Sequence, residues 1–288
     1  MPALRLLVAQ ARLHGRSKRW SSFRYLGVGV IAIAAPLVTT FEPDSAVGLA
    51  AIAGLWIFLS RTVVARRERF HAAKGVVVQE KFDRFVFAMP RLSRRTVALT
   101  LEEVNRIAGD DVAVDKYVHK HFELPWYPID SELEGADAIA IAQRANGAYS
   151  QRLLSLHANV WLFSTVGWSL FAVALSMIAK LDLSTFILGV LLPLLPALLD
   201  TFDQWVVVRQ ASTHRLALAL TIEDAIREEG ELTVNAEQLL LWQEQIFVLR
   251  MSTPQVPNFL YRQTRKSNER AMNAAAEQLA ALVKERKS

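Results

Sequence analysis

HANVWLFSTVGWSLFAVALSMIA, residues 157–179, runs for 23 positions without a formal charge, His157 counted as neutral. An α-helix rises 1.5 Å per residue, so a hydrocarbon core of about 30 Å takes about 20 residues to cross. This stretch is long enough. Working outward from it, three more apolar blocks stand out at residues 25–41, 45–60 and 183–199. Each is slightly short, so the ends matter. Phe23 and Tyr25 extend the first block, and Arg61 can snorkel so that residues 62–65 lengthen the second. Phe202 and Trp205 seat the fourth at an interface. The pattern predicts an all-α membrane protein with four transmembrane helices in two hairpins and a mainly helical cytoplasmic domain.

Composition agrees. Of 288 residues 52% are hydrophobic and 21% charged, with a mean hydropathy of +0.21. That is too apolar for a disordered chain or an average soluble domain. Cysteine is absent, which excludes a disulfide scaffold, a zinc–thiolate site, an iron–sulfur cluster and a cysteine nucleophile. The net charge of +5 fits a membrane surface or an anionic ligand without demonstrating either. A soluble helical core is the plainer reading, but four charge-free helices in one soluble domain are rare. A cleaved leader is another. Against it, the first apolar run exceeds a typical signal core, and a second run follows after Glu42, Pro43 and Asp44.

The flanks give an orientation. The turn after the first block carries Glu42 and Asp44 and no Lys or Arg, and the turn after the third carries Lys180 and Asp182. The opposite flanks hold Arg5, Arg12, Arg16, Lys18, Arg19 and Arg24, then Arg61, Arg66, Arg67 and Arg69, and later Arg209. The positive-inside rule therefore predicts that both termini are cytoplasmic. The expected partition is a basic cytoplasmic segment at 1–24, a hairpin at 25–65, a cytoplasmic segment at 66–156, a second hairpin at 157–199, and C-terminal cytoplasmic helices at 200–288.

Outside the blocks the periodicity is helical. Val78, Phe82, Phe85 and Met89 recur at helical spacing, and Pro90 ends that run. Thr100-Leu-Glu-Glu103 reads as a capping box for a short helix that stops at Gly109. Residues 110–122 are ambiguous, and Val112-Ala-Val114 allows a brief strand. Pro128 makes Leu124-Pro-Trp-Tyr-Pro128 a turn. From Ala136 a helix runs straight into the third block, and the fourth block continues past Asp200 towards Glu228, with Gly230 as its stop. Asn235 and Gln238 cap the next helix. The last helix covers about residues 258–287.

Catalytic signatures are missing. There is no phosphate loop, dinucleotide fingerprint or H-E-x-x-H, and no nucleophile elbow. His119-Lys-His121 beside Asp115 is the best metal-like cluster, with a surface role as its plainer reading. Glu102–Glu103 and Asp110–Asp111 are adjacent in sequence and so do not face one another on a helix. No catalytic residue and no metal site is assigned, and the expectation is a non-enzyme. Asp200 and Asp203, at the inner mouth of the fourth block, could line a cation-attracting vestibule or pair with a nearby Arg. Pro193 and Pro196 predict a kink there, and a gating hinge is the functional alternative.

Three stretches carry a resemblance when taken together: Gln79-Glu-Lys-Phe82-Asp83 with Phe87 and Pro90; Leu124-Pro-Trp126-Tyr127-Pro128 with Gln143-Arg144-Ala-Asn146; and Gln245-Ile246 with Arg250, Pro254, Val256-Pro257 and Tyr261. In this order, with two hairpins, the chain resembles the SMODS-associating four-transmembrane effector family over nearly its whole length. It departs from the family pattern at Met89-Pro-Arg-Leu92, at Ala142 and near Ala148–Tyr149. The resemblance implies a bacterial antiphage effector that senses a cyclic oligonucleotide made by a partner nucleotidyltransferase and compromises the inner membrane. It does not indicate which residues bind the messenger.

An anionic cyclic nucleotide favours bidentate arginine and aromatic stacking. The ligand-binding candidates are therefore Arg91, Arg94, Arg95, Arg144, Arg250 and Arg262, beside Trp126 and Tyr127. Packing is the plainer role for the aromatic motif residues, and pairing or capping for Asp83, Arg144 and Arg250. No cofactor is expected beyond that activating ligand. The expected partners are the lipid bilayer, a cyclic di- or trinucleotide and further copies of the chain, and not a DNA or RNA polymer. A bestrophin-like ion channel and a membrane scaffold that recruits a cytoplasmic partner are the rival readings.

Overall fold

The computed structural model describes residues 2–90, 97–122, 127, 133–228 and 234–287. Ten helices in these residues are named here, and no strand occurs among them. They are α1 (Pro2–Phe41), α2 (Ala46–Leu59), α3 (Ala65–Val86), α4 (Leu101–Ala108), α5 (Asp111–His121), α6 (Ala136–Ile178), the single turn α7 (Leu183–Thr185), α8 (Leu192–Arg227), α9 (Ala236–Ser252) and α10 (Asn258–Lys287). A π-helical stretch, Ser60–Val64, joins α2 to α3 without a break, and another, Phe186–Leu191, joins α7 to α8.

The chain divides into two compact units. A polar unit comprises Met1–Gly15, His71–Ser155 and Arg209–Ser288, and an apolar unit comprises Arg16–Phe70 and Leu156–Val208. All four apolar blocks lie in the apolar unit. The helices α1, α3, α6 and α8 each contribute residues to both.

Local signals fix most boundaries in the polar unit. Thr100 accepts from the Glu103 amide at 3.2 Å while Glu103 accepts from the Thr100 amide, and Gly109 closes α4 at φ 82°. Asn235 and Gln238 form the same reciprocal cap on α9. Residues 112–114, where a strand was possible, belong instead to α5. Asp110 accepts from the Ala113 amide at 2.8 Å, and Val114 and Val118 are both buried. An N-cap plus an i, i+4 apolar pair selects a helix over a short strand. The expected helix at 76–89 is longer at its start and stops at Val86, with Ala88 at φ 51° before Pro90. Gly230 lies outside the described residues.

The basic N-terminal segment is part of a fold and not a tail. Val8, Ala9 and Leu13 on α1 pack with Val76, Val78, Val104 and Val114. Leu7 packs with Phe82, Phe87 and Tyr127. A third cluster joins Ile141 of α6, Ile222 of α8, Trp242 and Ile246 of α9, and Leu279 and Val283 of α10. Gly147 is where α6 and α8 approach closely, since a Cβ there meets the Ala219 Cβ and the Arg215 carbonyl at 3.4 Å.

The apolar unit inverts this pattern. Its central cluster is small, Ala32 and Ala172 with Val190 and Leu194. Its large side chains face outward: Phe163 is 72% exposed, Met177 75% and Leu188 62%. Thr165 bonds both its own helix at the Trp161 carbonyl and Thr201 across to α8, each at 2.9 Å. Ser169 and Ser176 bond only back along their own helix. Small residues inside and large ones outside is the arrangement of helices packed in lipid. Two helices, Val47–Val86 and Ala136–Ile178, are long and apolar enough to cross a membrane; Leu183–Leu191 with Leu194–Arg227 makes a third if the pair, bent by 55°, is one span. The remaining block, residues 25–41, is the last part of α1.

Candidate functional site

The polar unit has a connected polar network in its interior. On α3, Glu80, Asp83 and Arg84 share a face by their three- and four-residue spacing. On α9, Gln243 and Arg250 share a face seven residues apart. Arg250 Nη1 donates to Asp83 Oδ2 at 2.5 Å, and the Tyr127 hydroxyl donates to Asp83 Oδ1 at 2.6 Å. Gln243 Nε2 donates to Glu80 Oε2 at 2.8 Å, and Gln143 Nε2 of α6 donates to Gln243 Oε1 and to the Leu239 carbonyl, both at 3.0 Å. Arg84 donates to Glu80 Oε1 at 2.6 Å and to the Pro90 carbonyl at 2.8 Å. Asp83 is 1% exposed and Gln143 and Gln243 equally so.

The electrostatics follow from burial. Burial, with the Asp83 carboxylate second, pushes the Tyr127 hydroxyl well above the ordinary phenol value. Tyr127 is therefore a fixed donor. Burial works against the Arg250 charge, but Asp83, Tyr127 and Glu80 together hold it above the usual guanidinium value. Such a network fixes one arrangement of α3, α6 and α9 and is costly to break at any single member.

Several sequence-derived residues therefore meet: Asp83, Tyr127, Gln143, Arg250 and, through its carbonyl, Pro90. Phe82 lies in the same apolar cluster as Tyr127, and the Phe87 and Tyr127 ring centroids are 4.9 Å apart. Others do not join. Arg144 donates through Nε and Nη2 to Glu223 Oε2 at 3.1 and 2.7 Å, and Arg227 holds the other Glu223 oxygen at 3.0 Å. Arg262 and Gln245 are exposed, while Gln79, Asn146, Pro257 and Tyr261 are half-buried. The Tyr261 ring lies 6.4 Å from that of Tyr149. Arg91, Arg94, Arg95 and Trp126 lie outside the described residues. In the apolar unit, Asp200 accepts from Arg61 at 3.4 Å and Asp203 is exposed. Pro196 lies inside α8, near the bend. His119 and Asp115 approach to 3.4 Å on the surface, and His121 packs on Tyr117.

Sequence reasoning missed Glu80, Arg84, Gln243 and Arg215. The signal for Gln243 was available: with Leu239, Trp242 and Ile246 inward, position 243 shares their side of the helix and 245 does not. Glu80 and Arg84 were visible as an i, i+4 acid–base pair. Arg215 carried the same signal as Gln243, because it shares a helix face with Ala211, Leu218, Ala219 and Ile222 at spacings of three, four and seven.

This is a helical membrane protein with a buried ionic network outside its apolar unit. The SMODS-associating 4TM effector domain model matches residues 1–279, and the chain belongs to that family. No curated protein and no solved structure matches it. The match spans residues of both units, including every member of the network, and identifies the chain as a transmembrane effector of antiphage systems.

Proposed function

We propose that the protein senses a cyclic oligonucleotide second messenger with its polar unit and, on binding, permeabilises the bacterial inner membrane to arrest or kill the infected cell. In this reading the polar unit is cytoplasmic, both termini face the cell interior and the chain performs no catalysis. The carrying observation is that α3, α6 and α8 each supply residues to both units, while α3 and α6 also hold members of the network. A ligand that rearranges the network thus acts on helices that continue into the apolar unit.

The ligand can shift the balance only by binding the active arrangement more tightly. Going from 1:99 to 99:1 requires about 10⁴-fold preference, or about 5.5 kcal/mol. A single protomer with a core of Ala32, Ala172, Val190 and Leu194 offers no wide channel, so the permeable state is an assembly of copies. Dye-loaded liposomes carrying the protein at a density that permits assembly test this. Leakage on addition of one cyclic di- or trinucleotide from a panel is the expected result. Silence across the panel refutes the sensing role, steady leakage without ligand indicates a constitutive channel, and a stable captured enzyme without leakage indicates a scaffold.

A further inference from the structure

Arg215 is a buried cation that the network does not explain. It lies on α8 and is 6% exposed. Its Nη2 makes two long contacts, to the Leu249 carbonyl and to Thr253 Oγ1, both at 3.3 Å. Its Nε is shielded and has no partner. Among the described residues no carboxylate pairs with it. The charged neighbour that acts on it is another cation, Arg250, which together with the larger effect of burial lowers Arg215 to about 9. It is still a cation at neutral pH.

Among the described residues the charge of the network and Arg215 does not balance. Glu80 and Asp83 serve Arg84 and Arg250, which leaves Arg215 over. Arg250 turns Nη1 to Asp83 and leaves Nη2 shielded and unpartnered, and Arg84 Nη2 is in the same condition. A buried cation without a counter-charge is strongly disfavoured, and native interiors satisfy such groups with an anion or ordered water. Two guanidinium groups at the end of α9, one on α9 itself and one reaching from α8 to the Leu249 carbonyl and Thr253, each keep an unpartnered N–H and match a phosphate oxygen set, because arginine donates along fixed planar directions. Thr253, whose hydroxyl donates to the Leu249 carbonyl and accepts from Arg215, marks the point where α9 ends and an irregular stretch, residues 253–257, begins.

We infer that Arg215 and Arg250 form a buried site for a phosphate group between α8 and the end of α9. The group is free phosphate or a phosphodiester, and the second source rests on the messenger-sensing role proposed above. Filling the site balances the surplus charge and resets the α9–α10 connection.

The test uses the full chain in detergent, titrated with inorganic phosphate against chloride at matched ionic strength. Phosphate is expected to raise the melting temperature of the native chain. Arg215→Met removes the surplus charge, so it should melt higher than the native chain without phosphate and bind phosphate at least tenfold more weakly. Arg215→Lys keeps the charge, loses the Nε donor, and should bind with intermediate strength; it also serves if the methionine variant does not fold. An equal phosphate effect in native and variant chains, or an effect no larger than that of chloride, overturns the site and leaves water as the partner of Arg215. The liposome assay separates the two claims. Leakage with a cyclic nucleotide that is unchanged in Arg215→Met sinks the phosphodiester source while sparing the effector role. Phosphate binding at Arg215 with no leakage from any cyclic nucleotide supports the site and sinks the sensing role.

Discussion

The two units of this chain solve opposite problems with the same element. In the polar unit the aliphatics are inside: Leu7, Val8, Val78, Val114 and Ile222 are fully shielded, and the network sets Asp83 against Arg250 and Glu80 against Arg84 with Arg215 left over. In the apolar unit the central cluster is alanine, valine and leucine, the polar contacts include hydroxyl bonds and a buried Arg24–Glu68 pair at 3.5 Å, and many large side chains point out. Water explains the first arrangement through apolar burial. It cannot explain the second, where burial of area is abandoned in favour of close helix contact. The contrast shows that outward-facing Phe, Leu and Met are read correctly only once the surrounding medium is specified.

The sharpest way to break the comparison is at Asp83. Asp83→Ala leaves Arg250 buried without its carboxylate and should cost about 3–5 kcal/mol. Chemical denaturation of the detergent-solubilised chain measures it. Adding Arg250→Met to the same chain should recover most of the loss, since both charges then leave together. Next comes a matched pair of surface changes. Leu170→Asp, at a 65% exposed position near the middle of block 157–179, should lower membrane insertion by about 3 kcal/mol. Val112→Asp, at a 78% exposed position on α5, should change stability by no more than about 0.5 kcal/mol. Equal effects at the two sites would show that both units meet the same solvent.

A smaller effect is expected at Gly27. A Cβ there runs into the Trp56 ring, so the indole must move. Gly27→Ala should destabilise the apolar unit by about 1–3 kcal/mol as overpacking does, read as a shift in Trp fluorescence on denaturation. The smallest concerns α4. Thr100→Ala removes a cap worth about 1 kcal/mol. Glu103, held below its ordinary value of 4.5 by the Lys74 contact and then by the Thr100 amide, supports the same cap. Its folded pKa is depressed, so this support is complete above pH 4.5 and fades as pH falls through the lower folded value. Hydrogen exchange on α4 should report both changes.

Much of this was legible from residues alone. The last helix, read at about residues 258–287 from its alternating Arg-rich and Ala-rich turns, is α10 at Asn258–Lys287. Both capping boxes were readable because their partners are three residues apart. The assignment of residues 110–122 failed to resolve because Val-Ala-Val fits either period, and Asp110 decides it only once its cap bond is seen. The N-terminal segment read as basic because Arg5 and Arg12 dominate a window that also holds Leu7, Val8 and Leu13. Arg5 and Arg12 reach out to Asp111 and the Ile107 carbonyl, while the aliphatics turn in. At the site, Asp83, Tyr127 and Arg250 were named from motif and chemistry, but nothing in their spacing said that they meet.

The sequence by itself determined the apolar blocks, the helical periods between them, the caps and the family, because each is written in residues close together or in a fixed order along the chain. Only the tertiary structure decided that Arg250 joins Asp83, that Arg144 joins Glu223, and that Arg215 is left without a carboxylate. Those pairings span 167 and 79 positions, and local periodicity holds no information about which distant charge a helix face will meet.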